Sequence, residues 1–182
     1  MTILDFIESI DQRPYDHSDE KTKILLQLLD LSNPDLRLSS GNCLLHTCAK
    51  RGFYKCILFL IDKGANVNVK NKLGKTPLLL SFIHHYSVEL DNSKKCINLL
   101  LDAGADVNIK DEYGETPLSR AIAYGDDDST KLFILNGGDI FQKHGQDTAV
   151  DLVGGLLSLR EILGEQFSSV IDKQLKLRLR VF

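Results

Sequence analysis

The residues that could do chemistry are few: five histidines and four cysteines in 182 residues, with short runs of acid and base. His84 and His85, taken with Cys96, have the donor types of a metal site. Their spacing matches no zinc pattern, because such patterns repeat paired ligands at short intervals. Cys43, Cys48, Cys56 and Cys96 lie in apolar contexts with no Cys-x-x-Cys pair, which suits reduced core thiols in a cytosol-like compartment. No Gly-rich phosphate loop, Gly-x-Ser-x-Gly elbow or His-Glu-x-x-His helix occurs. The reading is therefore a protein that is not an enzyme, with no catalytic residue, cofactor or metal.

Two charge runs remain. Asp126-Asp127-Asp128 reads either as a solvated helix start, where acids are favoured, or as a contact to a basic partner. Lys173, Lys176, Arg178 and Arg180 alternate with Leu175, Leu177, Leu179 and Val181. That segment, 173–180, suits a charged cap helix, a terminal strand or an amphipathic anchor. The cap is preferred, since four cations without an aromatic wedge make a weak membrane signal.

Composition is that of an ordinary globular protein, 43% hydrophobic and 26% charged, with a net charge of −3. Nucleic acid is a poor partner for it, because neutralising phosphates needs a concentrated Lys/Arg surface. Asp5, Glu8 and Asp11 stand where a signal peptide needs a positive start and an apolar run. Apolar-rich stretches such as Cys56–Ile61 and Ile97–Leu101 fall far short of the ~20 residues that span a bilayer.

What could position these residues is a repeat. Gly64-Ala65-Asn66-Val67-Asn68-Val69-Lys70 recurs as Gly104-Ala105-Asp106-Val107-Asn108-Ile109-Lys110, and more weakly from Gly137 to Lys143. A second block follows each of the first two, Gly74-Lys75-Thr76-Pro77-Leu78 and Gly114-Glu115-Thr116-Pro117-Leu118. Gly64 and Gly104 follow apolar runs and can close a helix in the left-handed region. Thr76-Pro77 and Thr116-Pro117 supply a capping hydroxyl and a proline in the first helical turn, where a missing N–H costs nothing. Between them Val67, Val69, Val107 and Ile109 alternate with polar residues, so Gly74 and Gly114 are read as hairpin turns.

These linked blocks resemble the ankyrin-repeat family, whose pattern runs through Gly-x-Thr-Pro-Leu-His, a helix ending in leucines, and Gly-Ala-Asp-Val-Asn. Gly41 to Gly74 and Gly104 to Gly137 are each 33 residues apart, while Gly74 to Gly114 is 40, placing about seven extra residues between Ile83 and Lys95. The resemblance covers Leu38 to Lys143. It implies an all-α repeat solenoid of about four to five repeats, built from paired antiparallel helices with short β-hairpin fingers. The implied single domain comprises a degenerate cap at 1–38, repeats at 39–70, 71–110 and 111–143, and a degenerate cap at 144–182. Terminal repeats need such polar-faced caps. Thr2–Ile10, Lys21–Leu31, Leu156–Leu163 and a segment from Phe167 onward are read as the helices of these caps.

The resemblance also implies a function: binding a protein partner along a concave face of finger tips and inner-helix ends. Carried over by position, the partner-binding residues are Ser39, Ser40, Asn42, Lys50 and Arg51; Lys72, Leu73, Lys75, Ile83 and His84; and Glu112, Tyr113, Glu115, Ala123 and Tyr124. Their charge runs from cationic to anionic along the repeats, so a partner should carry the opposite gradient. Tyr113 and Tyr124 are the preferred anchors, although either could pack on a neighbouring repeat. The insertion at 84–95 either lengthens two helices or projects His84, His85, Tyr86 and Glu89 as a binding loop. His46 falls on the family's own histidine, which bonds the backbone of neighbouring turns. Cys56 and Cys96 share one repeat position and are read as core. The expected protein is a monomeric cytoplasmic adaptor or inhibitor, or one delivered into a host cell; the competing reading is a self-associating scaffold.

Overall fold

The structure, a computed structural model of the 182-residue chain, describes residues 37, 41–83, 90–144, 147–152 and 154–179. The expected helices at 2–10 and 21–31, Ser39, Ser40, the 84–89 segment and residues 180–182 lie outside the described residues. The described residues form a mainly helical repeat fold, and the chain divides into two compact units, Met1–Asp106 and Val107–Phe182.

In the first unit, helix α1 (Leu44–Arg51) and helix α2 (Tyr54–Asp62) form one hairpin, and α3 (Pro77–Ile83) and α4 (Leu90–Asp102) the next. Helix α1 packs on α2 and α3, α3 on α4, and α2 on α4, so equivalent helices lie against each other. The seam holds Leu45, Cys48, Cys56, Ile57, Leu78, Leu79, Phe82, Cys96 and Leu100, each wholly buried. Fully burying a side chain of this kind contributes roughly 1.5–3 kcal/mol. Neither hairpin could hide this surface alone. Helix α3 starts at Pro77 as the sequence implies, with Thr76 Oγ1 accepting from Leu79 N–H at 3.3 Å. Of the inserted residues, Leu90 to Ser93 lengthen the outer helix: α4 has 13 residues against nine for α2.

In the second unit, α5 (Pro117–Ala123) and α6 (Asp127–Leu135) pair in the same way. Thr116 caps α5, and its hydroxyl and Ser119's exchange bonds with each other's backbone N–H at 3.1 and 2.9 Å. Asp126 caps α6 by accepting from Ser129 N–H at 3.0 Å, with Asp127 and Asp128 in the first turn. The acidic run therefore starts a helix. A two-residue ladder, β1 (Lys143–His144) with β2 (Asp147–Thr148), leads into α7 (Ala149–Leu152) and α8 (Leu156–Leu163). Helix α7 is only four residues long, because Gly154 and Gly155 both take positive φ and break it. A short 3-10 turn (Gly164–Gln166) then enters α9 (Phe167–Leu179), so the described part of the alternating basic segment is helical rather than a strand.

The finger at 143–148 is the expected short β-hairpin, pairing Lys143 with Thr148 and His144 with Asp147, whereas the two fingers before it are closed turns. Between Asn71 and Lys75 two backbone bonds close the loop, Asn71 N–H to Lys75 O and Gly74 N–H to Asn71 O, both at 3.0 Å, and the same two join Asp111 with Glu115 and Gly114. Inside each turn a side chain also takes backbone N–H groups. Asn71 Oδ1 accepts from the N–H groups of Leu73 and Lys75, both at 2.9 Å, and Asp111 Oδ1 does the same for Tyr113 and Glu115.

Candidate interaction surface

Asn71 and Asp111 accept from the turn backbone, and the tip side chains lie at the surface. In the first unit Lys72 and Leu73 point to solvent, Leu73 with 43% of its surface exposed. Lys72 also covers Gly41: a Cβ there would sit 2.5 Å from Lys72 Cγ, and Gly41 has φ +78°. Lys75 is half-buried, and Lys50 and Arg51 are half-buried in the last turn of α1, where cations favour the helix C-terminus. Asn42 is placed otherwise. It is buried, and its Oδ1 accepts from Asn71 Nδ2 at 2.8 Å, so it ties one finger to the next.

In the second unit Glu112 and Tyr113 form the finger tip, and Ala123 and Tyr124 the exposed end of α5. Tyr113 is 71% exposed and Tyr124 48%. Glu115 is held by an ion pair with Arg120, which half-covers it. Ile83 ends α3, while Ser39, Ser40 and His84 lie outside the described residues.

His46 is wholly buried. Its Nδ1 accepts from Cys43 N–H at 3.1 Å, which leaves the proton on Nε2 to be donated to Lys75 O at 2.9 Å. One imidazole thus starts its own helix and clips the next finger. Burial lowers its pKa to about 4 despite the opposing carbonyl bond, so the ring is neutral. Hydrogen bonding to Cys56 and burial raise the pKa of Cys48, and burial pushes Cys96 up to about 12. Buried, protonated thiols are poor nucleophiles.

Two residues that sequence reasoning passed over do the joining. Asn68 Nδ2 donates to Gly104 O at 3.2 Å while its Oδ1 accepts from Asp106 N–H at 2.8 Å. Asn108 treats Gly137 and Asp139 identically, at 3.0 and 2.8 Å. The signal was the same asparagine at the same place in two copies of the motif. In the third copy that place holds Phe141, which has no amide to offer a following motif; Gln174 of α9 instead adds to the hold on the third copy itself, donating to Gly138 O at 2.7 Å and accepting from Ile140 N–H at 3.0 Å.

Among the described residues no group of three or more His, Cys, Asp and Glu is placed to hold a metal, and no helix is long and apolar enough to cross a membrane. A family model for ankyrin repeats in three copies matches residues 16–111, and one for many copies matches 100–153. The chain belongs to the ankyrin-repeat family. It is similar to an ankyrin repeat protein of monkeypox virus, 33% identical over 72 residues, which is 40% of this chain and only 13% of that protein. Ankyrin repeats are generally protein–protein interaction modules, and that is the class the fold defines.

Proposed function

We propose that the chain binds a partner protein through its finger tips and inner-helix ends, acting as an adaptor or inhibitor. The observation that carries this reading is the exposure of Tyr113 and Tyr124, at 71% and 48%, on a unit whose turn is already built by Asp111 and Gly114. Large aromatic side chains are enriched among the residues that dominate interface energies. Glu112 beside Tyr113 favours a partner with basic groups at this finger, and Lys72 beside Leu73 favours acidic groups at the earlier one. Asn42 is left out of the proposed surface, since it is buried in the bond to Asn71.

Buried reduced cysteines suit a reducing compartment such as the cytoplasm. The likeness to a viral ankyrin protein supports, more weakly, a host-directed role. The test is affinity capture with the chain and its Tyr113→Ala/Tyr124→Ala double variant. The expected outcome is an unchanged unfolding midpoint with partner recovery reduced about tenfold or more, as for the loss of interface anchors. Equal recovery by both proteins would remove the tyrosines from the surface.

A further inference from the structure

The second unit contains a half-open cleft of about 550 Å³ between the end of α6 and helix α9. Its size lies within the roughly 300–1,000 Å³ of ligand sites. Gln166, Ser169, Val170, Lys173, Gln174 and Leu177 line it from one side. They step along the chain at helical three- and four-residue spacings and so form one face. A helix that only caps a stack turns an apolar face inward. This face is mostly polar.

The polar groups divide into two kinds. Gln174 is committed to Gly138 and Ile140, and Asp139, on the opposite wall, accepts from Phe141 N–H at 2.9 Å. The side chains of Gln166, Ser169 and Lys173 have no hydrogen-bond or ion-pair partner among the described residues. They set an amide, a hydroxyl and an ammonium in a row beside an apolar lining of Ile134, Leu135, Val170 and Leu177.

We propose that this cleft is a binding site for a peptide segment of a partner protein that carries a large apolar side chain beside a carboxylate. The apolar lining receives the side chain, and the carboxylate accepts from Lys173 with Ser169 or Gln166. A half-open cleft lets both ends of a chain lead away, which favours a peptide over a free small molecule. The site is separate from the finger surface, since neither Tyr113 nor Tyr124 lines it.

The test is nuclear magnetic resonance of the ¹⁵N-labelled full chain with four probes. These are the capped peptide acetyl-Glu-Leu-Phe-Glu-amide, its analogue with glutamines for glutamates, dodecanoate, and vesicles of phosphatidylcholine with phosphatidylserine. The acidic peptide should shift the amides of Leu135, Val170 and Lys173 saturably, with the glutamine analogue about tenfold weaker. Ser169→Trp, on the exposed wall, should abolish these shifts by filling the cleft. Lys173→Met should erase the preference for acid while leaving the analogue's affinity unchanged, and Tyr113→Ala/Tyr124→Ala should alter neither. The proposal is overturned if the shifts fall elsewhere or survive Ser169→Trp. It is overturned equally if only dodecanoate or the vesicles saturate the cleft.

Discussion

His46, Leu79 and Ser119 occupy one position in successive repeats, and each solves the start of its inner helix differently. Ser119 offers a hydroxyl to Thr116 N–H, Leu79 gives only packing, and His46 offers a ring that must stay neutral. The unfolded chain binds a proton at this histidine below a pH of about 6.5, whereas the folded chain resists it down to about 4. Stability linked to His46 is therefore complete above pH 6.5 and is lost as the pH falls towards 4, on the order of 3 kcal/mol in all. Urea unfolding from pH 7 to 4 should show this loss, and His46→Leu, which borrows the next repeat's solution, should remove it. An identical pH slope in the variant would show that the ring is not the source. At the same scale, Cys43, Cys48, Cys56 and Cys96 are all buried. A thiol reagent such as Ellman's should react with none of them in the native protein and with all four in denaturant.

Helices and turns show how far the sequence could be read. The bounds of α3 and α5 were legible because Thr-Pro fixes a start through chemistry local to two residues. The absence of a ladder at the fingers of 71–75 and 111–115 was less legible, since alternating valines suit a strand, yet the N–H of Val69 turns back to Asn66 O at 3.4 Å. The brevity of α7 came from two glycines whose joint effect needs coordinates. Side-chain commitments were the hardest part of the surface to foresee. Asn42 and Glu115 look like ordinary exposed polar residues until Asn71 and Arg120 are seen beside them. Helix α9 gives the element-scale prediction. Gln174→Ala removes two hydrogen bonds to the Gly138–Ile140 backbone, about 1–2 kcal/mol together. Amide exchange along 167–179 should accelerate while exchange in α5 and α6 stays slow. Unchanged protection of α9 would mean that its apolar contacts suffice to dock it.

For the molecule as a whole, charge separates by unit: lysines dominate the described surface of residues 41–106, and acids outnumber bases in 107–182. Attraction between oppositely charged units of different copies makes self-association the reading to exclude. Sedimentation over a hundredfold concentration range at low salt should return a single monomer mass; mass that grows with concentration would favour the scaffold instead. The asparagine clamps have a consequence for ancestry. Asn108 and the Gly137–Asp139 backbone it grips fall within one 33-residue period. An in-frame gene duplication of 107–139 therefore passes on donor and recipient together, and copy number can rise without any new side chain being invented. Past Phe141 that inheritance stops, and a lineage lengthening from there would first have to regain an amide.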